Sequence, residues 1–256
     1  MNHIYCTQNA FGNTELGARE FDKIAESLAE AKADGVEVRR EMLSLGIVLN
    51  DAGERLKELN LDIVFSSPQP LFEENGKLNI DPLFGLFQEA EAVGAWLLKM
   101  PLGHYFGMKE ELSHLNALLL QFPKLTFTIE NDQTTYGGRT EFLETFFLDC
   151  RSQEIPAGFT FDVGNPKYVG EDPLAMYERL KTFIRYVHIK HVIDDKGGLR
   201  TVPVFPELPD KIDWIISQIP EEVPLAIEYP INVINASQHV ANLRKERVKY
   251  WQEQVK

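Results

Sequence analysis

The sequence predicts an α/β fold, a (β/α)8 TIM barrel spanning residues 1–256 as a single domain. Three observations carry this expectation. Eight short apolar runs alternate with eight amphipathic helical patterns from end to end, which implies parallel pairing with right-handed crossovers. The length of 256 residues is that of a typical (β/α)8 barrel. No change of composition, no Pro/Gly/Ser linker and no low-complexity segment divides the chain. An open doubly wound sheet is the alternative, but no GxGxxG follows the first strand.

The expected strands are His3–Gln8, Gly35–Arg40, Leu61–Ser66, Trp96–Met100, Leu125–Glu130, Gly158–Val163, Arg185–Lys190 and Val223–Tyr229. The expected helices are Glu20–Ala33, Ala52–Asn60, Pro82–Val93, Lys109–Gln121, Thr140–Ser152, Pro173–Ile184, Lys211–Ile219 and Ala236–Trp251. Helix starts are read at Asn50 or Asp51, at Asp81-Pro82 and at Asp172-Pro173, where a capping side chain precedes the first turn. Phe84, Phe87, Phe146 and Phe147 recur at helical spacing and are assigned to the layer between barrel and helices. The segments Ser66–Ile80, Asn131–Arg139 and His191–Asp210 would form the mouth at the C-terminal ends of the strands, where barrel enzymes place their chemistry.

Four of these runs end in a metal-competent residue: Leu125-Thr-Phe-Thr-Ile-Glu130, Phe159-Thr-Phe-Asp162, Tyr186-Val-His188 and Leu225-Ala-Ile-Glu228. Side chains alternate along a strand. Glu130, Asp162, His188 and Glu228 share a face with Thr126, Thr128, Thr160, Tyr186 and Ala226, while Phe127, Ile129, Phe159, Phe161, Val187, Ile189, Leu225 and Ile227 face the other way. A lone strand-end carboxylate is as often a cap or an ion-pair partner. Four at one depth on successive strands point to one divalent metal ion, Mn²⁺, Mg²⁺, Co²⁺ or Zn²⁺. Glu37, Lys99 and Lys190 also fall near strand ends. Lys99 suits a substrate oxyanion or an ion pair with Glu37, and Lys190 a substrate anion or an ion pair with Glu228. His104 would line the mouth or lie in a solvated loop, His114 and His239 would lie on the surface, and the glycines of Tyr136-Gly-Gly-Arg139 and Gly197-Gly-Leu-Arg200 would serve either lid elements or simple turns of the chain.

Composition narrows the partners. With 39 acidic against 26 basic residues the net charge is −13, which opposes docking on a phosphate backbone. Small molecules are the expected partners, with no nucleic acid and no membrane. No run approaches the roughly 18 to 20 apolar residues of a membrane span, and no signal peptide is read at the N-terminus. The only cysteines, Cys6 and Cys150, form no metal or disulfide pattern, which favours a reducing, cytoplasmic setting. No exposed stripe decides whether a homo-oligomer forms.

The order of Gly35-Val-Glu37, Ile129-Glu130-Asn131, Phe161-Asp162-Val-Gly164, Val187-His188-Ile-Lys190 and Ile227-Glu228-Tyr229 resembles the xylose isomerase-like TIM-barrel superfamily of sugar isomerases, ketose 3-epimerases, inosose dehydratases and apurinic endonucleases. The resemblance covers essentially the whole chain. It implies that Glu130, Asp162, His188 and Glu228 hold one divalent metal and that Glu130 and Glu228 act as acid and base on a carbohydrate. Beside it, Glu37, Lys99, His104 and Lys190 are candidate substrate-binding residues by position, and Asn165 by its capacity to hydrogen-bond a sugar hydroxyl. The implied reaction is an isomerisation or epimerisation through an enediolate; an inosose dehydratase-like lyase and a degenerate ligand-binding barrel are the alternatives. The chain departs from the pattern at Asn165, where relatives carry His, at Ser66-Ser67-Pro68, where the endonucleases carry His, at His191, where Asp is usual, and in Pro203–Pro209, which lacks a Gly-x-Gly. These departures make the nuclease reading the last of the set.

Overall fold

The structure, a computed structural model, describes residues 3–12, 16, 19–43 and 48–254. Eight parallel strands close on themselves: β1 (Ile4–Thr7), β2 (Gly35–Arg39), β3 (Asp62–Ser66), β4 (Leu97–Pro101), β5 (Thr126–Glu130), β6 (Ala157–Asp162), β7 (Ile184–Ile189) and, after the hairpin β8 (His191–Asp195) and β9 (Gly198–Val202), β10 (Leu225–Ile227). Pairing of β1 with β10 shuts the barrel, Cys6 standing level with Ile227. Among the described residues nine α-helices follow the strands: α1 (Phe21–Glu30), α2 (Arg40–Leu43), α3 (Leu49–Glu58), α4 (Ile80–Ala92), α5 (Lys109–Leu119), α6 (Thr140–Ser152), α7 (Pro173–Leu180), α8 (Asp210–Gln218) and α9 (Ala236–Gln254).

Period-two alternation sorts the strand residues into two layers. Outward-facing Ile4, Val36, Phe65, Leu98, Ile129, Phe159 and Val187 join the helices' apolar stripes in one continuous core. The inward set is separate: Tyr5, Val64, Leu97, Tyr186 and Ala226 plug the lower barrel, with Tyr5 packed edge-on against Tyr186. Gly35 is required beside this plug, because a Cβ there would lie 2.2 Å from the Tyr5 ring and 2.4 Å from the Asp62 carbonyl. Above the plug the interior turns polar.

Several element boundaries differ from expectation. The helix expected at Ala52 begins at Leu49 with Val48 as cap, and that expected at Pro82 begins at Ile80 with Asn79 as cap. In both, an apolar residue before the polar start signal packs on the core and draws the helix back. Asp172 does cap α7, accepting from the Leu174 N–H at 3.1 Å. That helix stops at Leu180, and Ile184 opens β7 after a 3-10 turn. Phe84 is 37% exposed, because the buried stripe of α4 runs through Leu83, Leu86, Phe87 and Ala90, one position out of step with it. The segment after β7 is an antiparallel hairpin whose turn holds Gly197 and Gly198. These glycines turn the hairpin. His239 is half-buried, its Nδ1 3.3 Å from the Tyr229 hydroxyl.

Candidate metal centre

Register brings the four strand-end residues together. Asp162 is paired with His188 across β6 and β7. Glu130 is level with Thr160, two residues below Asp162, and Ala226 is level with His188, two residues below Glu228. This stagger is the one by which tilted strands close a barrel. One donor atom from each of Glu130, Asp162, His188 and Glu228 lies within 4.8 Å of the others, and all four residues are buried.

Each side chain is held. The Asp162 Oδ1 accepts from the Gly164 and Asn165 N–H groups, both at 2.8 Å. Its Oδ2 accepts no directed hydrogen bond and faces the Lys190 ammonium at 2.7 Å. His188 Nδ1 lies 2.9 Å from Glu130, 3.0 Å from Glu228 and 3.8 Å from Asp162. Its Nε2 is 2.6 Å from Glu37. Lys99 stands 2.6 Å from Glu130 and 3.4 Å from Glu37. Lys190 also reaches Glu228 at 3.1 Å. Both ion pairings considered for Lys99 and Lys190 are therefore present. Arg39 Nη1 lies 3.6 Å from Glu228 and Asn9 donates to the same oxygen at 3.3 Å.

The charges shape the acidities. Burial acts to raise the pKa of Glu37, but His188 and Lys99 outweigh it and hold the group at about 2. Burial is likewise overcome at Glu130 by Lys99 and at Glu228 by Lys190 and His188, so both carboxyls are depressed. Asp162 goes the other way, pushed up to about 6 by burial despite Lys190. Burial lowers the His188 pKa, yet Glu37 and Glu228 raise it well above the usual histidine value. Four buried carboxylates thus face an imidazolium, two ammoniums and a guanidinium.

These residues fit a divalent cation. The donor set is three carboxylates and one imidazole, and Asp162 Oδ2 is left without a directed donor in the cluster. The ionised Glu37 can only accept, so a neutral His188 carries its proton on Nε2 and presents the Nδ1 lone pair to the cluster.

Above the cluster lies a cavity of about 460 Å³ lined by Glu130, Glu228, Lys99, Lys190 and Asn165. Its wall adds Asn9 and Arg39, which the sequence reading passed over, and Ser67, Asp132, Gln133 and Thr201, which it placed in the mouth segments without a role. Arg39 was accessible to strand parity, being two residues beyond Glu37. The loop residues had no periodic signal. Asn131, named in the strand-five motif without a role, holds the Asp162 backbone through two hydrogen bonds of 2.8 Å. Asn165 lines the cavity, but its amide donates to the Asn131 carbonyl at 2.7 Å and its carbonyl accepts from Gln133 at 3.3 Å. Two residues expected to bind substrate fall elsewhere. Glu37 is fully buried beneath the cluster and lines no part of the cavity. His104 is half-buried outside the cavity, stacked on Tyr136 at 3.9 Å because the glycine-bearing Asp132–Gly138 loop folds Tyr136 over it. A second groove of about 610 Å³, beside the mouth near Lys167, His191 and Lys211, contains none of the four cluster residues.

The fold is shared with solved structures described as a xylose isomerase-like TIM barrel fusion protein, a sugar phosphate isomerase/epimerase and 3-epimerases of L-ribulose and D-psicose. An L-ribulose 3-epimerase superposes with a TM-score of 0.73 at 12% identity over 99% of this chain and 97% of its own. The probable 3-DHS dehydratase AsbF involved in petrobactin synthesis from Bacillus anthracis gives 0.66 at 15% identity, covering 96% of this chain and 98% of its own. A xylose isomerase-like TIM barrel/4-hydroxyphenylpyruvate dioxygenase fusion protein gives 0.73 at 16% identity over 99% of this chain; the chain spans only 44% of that protein's length. No protein-family model and no curated protein sequence matches the chain. Among the described residues no helix is long and apolar enough to cross a membrane.

Proposed function

We propose that the protein is a divalent-metal-dependent isomerase or epimerase of a sugar or sugar phosphate, moving a proton beside a carbonyl through an enediolate. The observation that carries this reading is the convergence of Glu130, Asp162, His188 and Glu228 at the floor of a cavity walled by hydrogen-bonding side chains. Those four residues would hold the metal, which would supply Lewis-acid stabilisation of the charge developing on the substrate oxygens. Glu130 and Glu228 stand on strands separated by β6 and β7. Both are held ionised by their own lysines, so each is competent to accept a proton from carbon. One takes it from one face of the substrate and the other returns one to the opposite face. Asn9, Arg39, Ser67 and Gln133 would orient hydroxyl groups.

The dehydratase among the structural neighbours supports a variant in which the same enolisation ends in loss of a hydroxyl. Loss of 18 mass units, that of water, from the product separates the two. A second reading, a ligand-binding barrel without turnover, is favoured by one observation: the four buried carboxylates are already matched by Arg39, Lys99, Lys190 and protonated His188.

The deciding experiment is metal content per chain after Mn²⁺ loading and removal of free ion, for wild type and Asp162→Ala. About one equivalent in the wild type and loss in the variant are expected. A ketose and inosose screen in D2O then follows. Glu130→Gln and Glu228→Gln should each abolish exchange of the substrate's α-hydrogen. Full exchange in either would end the two-base mechanism, and no retained metal in the wild type would leave the ligand-binding reading.

A further inference from the structure

We infer that Glu37 is a positioning residue for the metal centre: across the barrel it fixes His188 so that Nδ1, not Nε2, faces Glu130, Asp162 and Glu228. The inference rests on the proposed metal site and concerns how its one nitrogen ligand is oriented. Glu37 stands on β2 and His188 on β7, separated by β1 and β10 on one side of the barrel and four strands on the other. Their contact is a hydrogen bond across the interior at 2.6 Å, and both residues are fully buried.

Geometry excludes a simpler role. Glu37 lies beneath the cavity rather than in its wall, and it is not among the four clustered donors. Its other oxygen faces Lys99 at 3.4 Å, Lys99 contacts Glu130 at 2.6 Å, and Glu130 returns to His188 Nδ1 at 2.9 Å. The four groups form a closed ring that shares Glu130 and His188 with the cluster. Rotating the imidazole to present Nε2 would set Nδ1 toward β2, break the 2.6 Å bond and open the ring. The Tyr186 ring, edge-on to the imidazole at 5.1 Å, limits that rotation further. A carboxylate behind a metal-bound histidine sets its tautomer and raises its basicity, and removing such a partner typically weakens metal binding by about 10- to 100-fold.

The test compares wild type with Glu37→Gln, which keeps an acceptor but loses the charge, and with Glu37→Leu, which loses both. Mn²⁺ dissociation constants come from the free-ion resonance signal. Long-range ¹H–¹⁵N spectra of the Zn²⁺-loaded protein report which His188 nitrogen carries the proton. The expected result is metal on Nδ1 with Nε2 protonated in the wild type, and binding weaker by about 10-fold in Glu37→Gln and about 100-fold in Glu37→Leu. Affinities of folded variants within twofold of wild type would overturn the inference and leave Glu37 as a counter-charge for Lys99. Metal on Nε2 in the wild type would overturn it even if neither variant folds. A wild type that binds no Mn²⁺ would remove the metal reading itself, and this inference with it.

Discussion

Glu130 and Glu228 carry the same side chain in different company. Glu130 shares Lys99 with a second carboxylate, Glu37, whereas Glu228 shares Lys190 with Asp162 and is also flanked by Arg39. Lys99 is 2% exposed, so its removal strands two buried anions. Lys99→Met should cost about 3–5 kcal/mol in urea unfolding. Adding Glu130→Gln should recover part of that loss, because one stranded charge goes with it. Strict additivity of the two substitutions would refute the coupling. The thiols give a prediction at alkaline pH. Burial pushes Cys150 up to about 12 and raises Cys6 as well. Both then stay protonated when folded at a pH where the unfolded chain has ionised. Their contribution to stability is full below the unfolded thiol value of about 9 and falls by about 1.4 kcal/mol per thiol for each pH unit above it. Melting temperature should drop from pH 8 to pH 10, less steeply in Cys6→Ala/Cys150→Ala. Equal slopes would assign the loss to other groups.

At the scale of elements, what the sequence disclosed depended on whether one period governed a segment. Strand parity placed Glu130, Asp162, His188 and Glu228 on the inner face, and it also reached Glu37, Lys99 and Lys190. It could not separate a residue that lines the cavity from one buried beneath the site, such as Glu37. Parity also failed beyond Lys190. Lys190 and His191 run directly from β7 into β8, and of the two readings open for Gly197-Gly198, lid or turn, the hairpin supplies the turn. The two helix starts moved because Leu49 and Ile80 gain more from packing than Asp51 or Asp81 do from capping. One supporting contact had no local signal: Arg247 of α9 is fully buried and donates to the carbonyls of Pro220 and Glu221 at 2.7 and 3.0 Å and to that of Val223. These carbonyls belong to the turn that feeds β10, hence Glu228. Arg247→Met leaves them without their donor and should lower unfolding free energy by about 2–4 kcal/mol. It should also weaken Mn²⁺ binding, because the strand that delivers Glu228 loses its anchor. A destabilised variant with unchanged affinity would show that β10 is held by its pairing with β1 and β7 alone.

For the molecule as a whole, the placement of the four clustered residues matters more than their number. They come from β5, β6, β7 and β10, consecutive around half of the closed barrel. A cation held by all four would tie together four strands already joined by their ladders and by the ion pairs of Lys190 and His188. In the metal-free network the surrounding carboxylates hold His188 protonated, so binding must expel that proton, and affinity should rise with pH. Binding to the folded state alone stabilises by RT ln(1 + [L]/Kd), about 2.7 kcal/mol at a hundredfold excess over Kd. For a chain of this size that corresponds to about 5–10 °C in melting temperature. Mn²⁺ at that excess should produce this rise in the wild type and none in Asp162→Ala. Hydrogen exchange should slow in β5, β6, β7 and β10 together. Protection confined to one or two strands would point instead to a surface ion held by one or two carboxylates. A melting temperature indifferent to the metal, in a protein that nevertheless binds a carbohydrate, would mean that Lys190 and protonated His188 already supply the charge that a cation would bring.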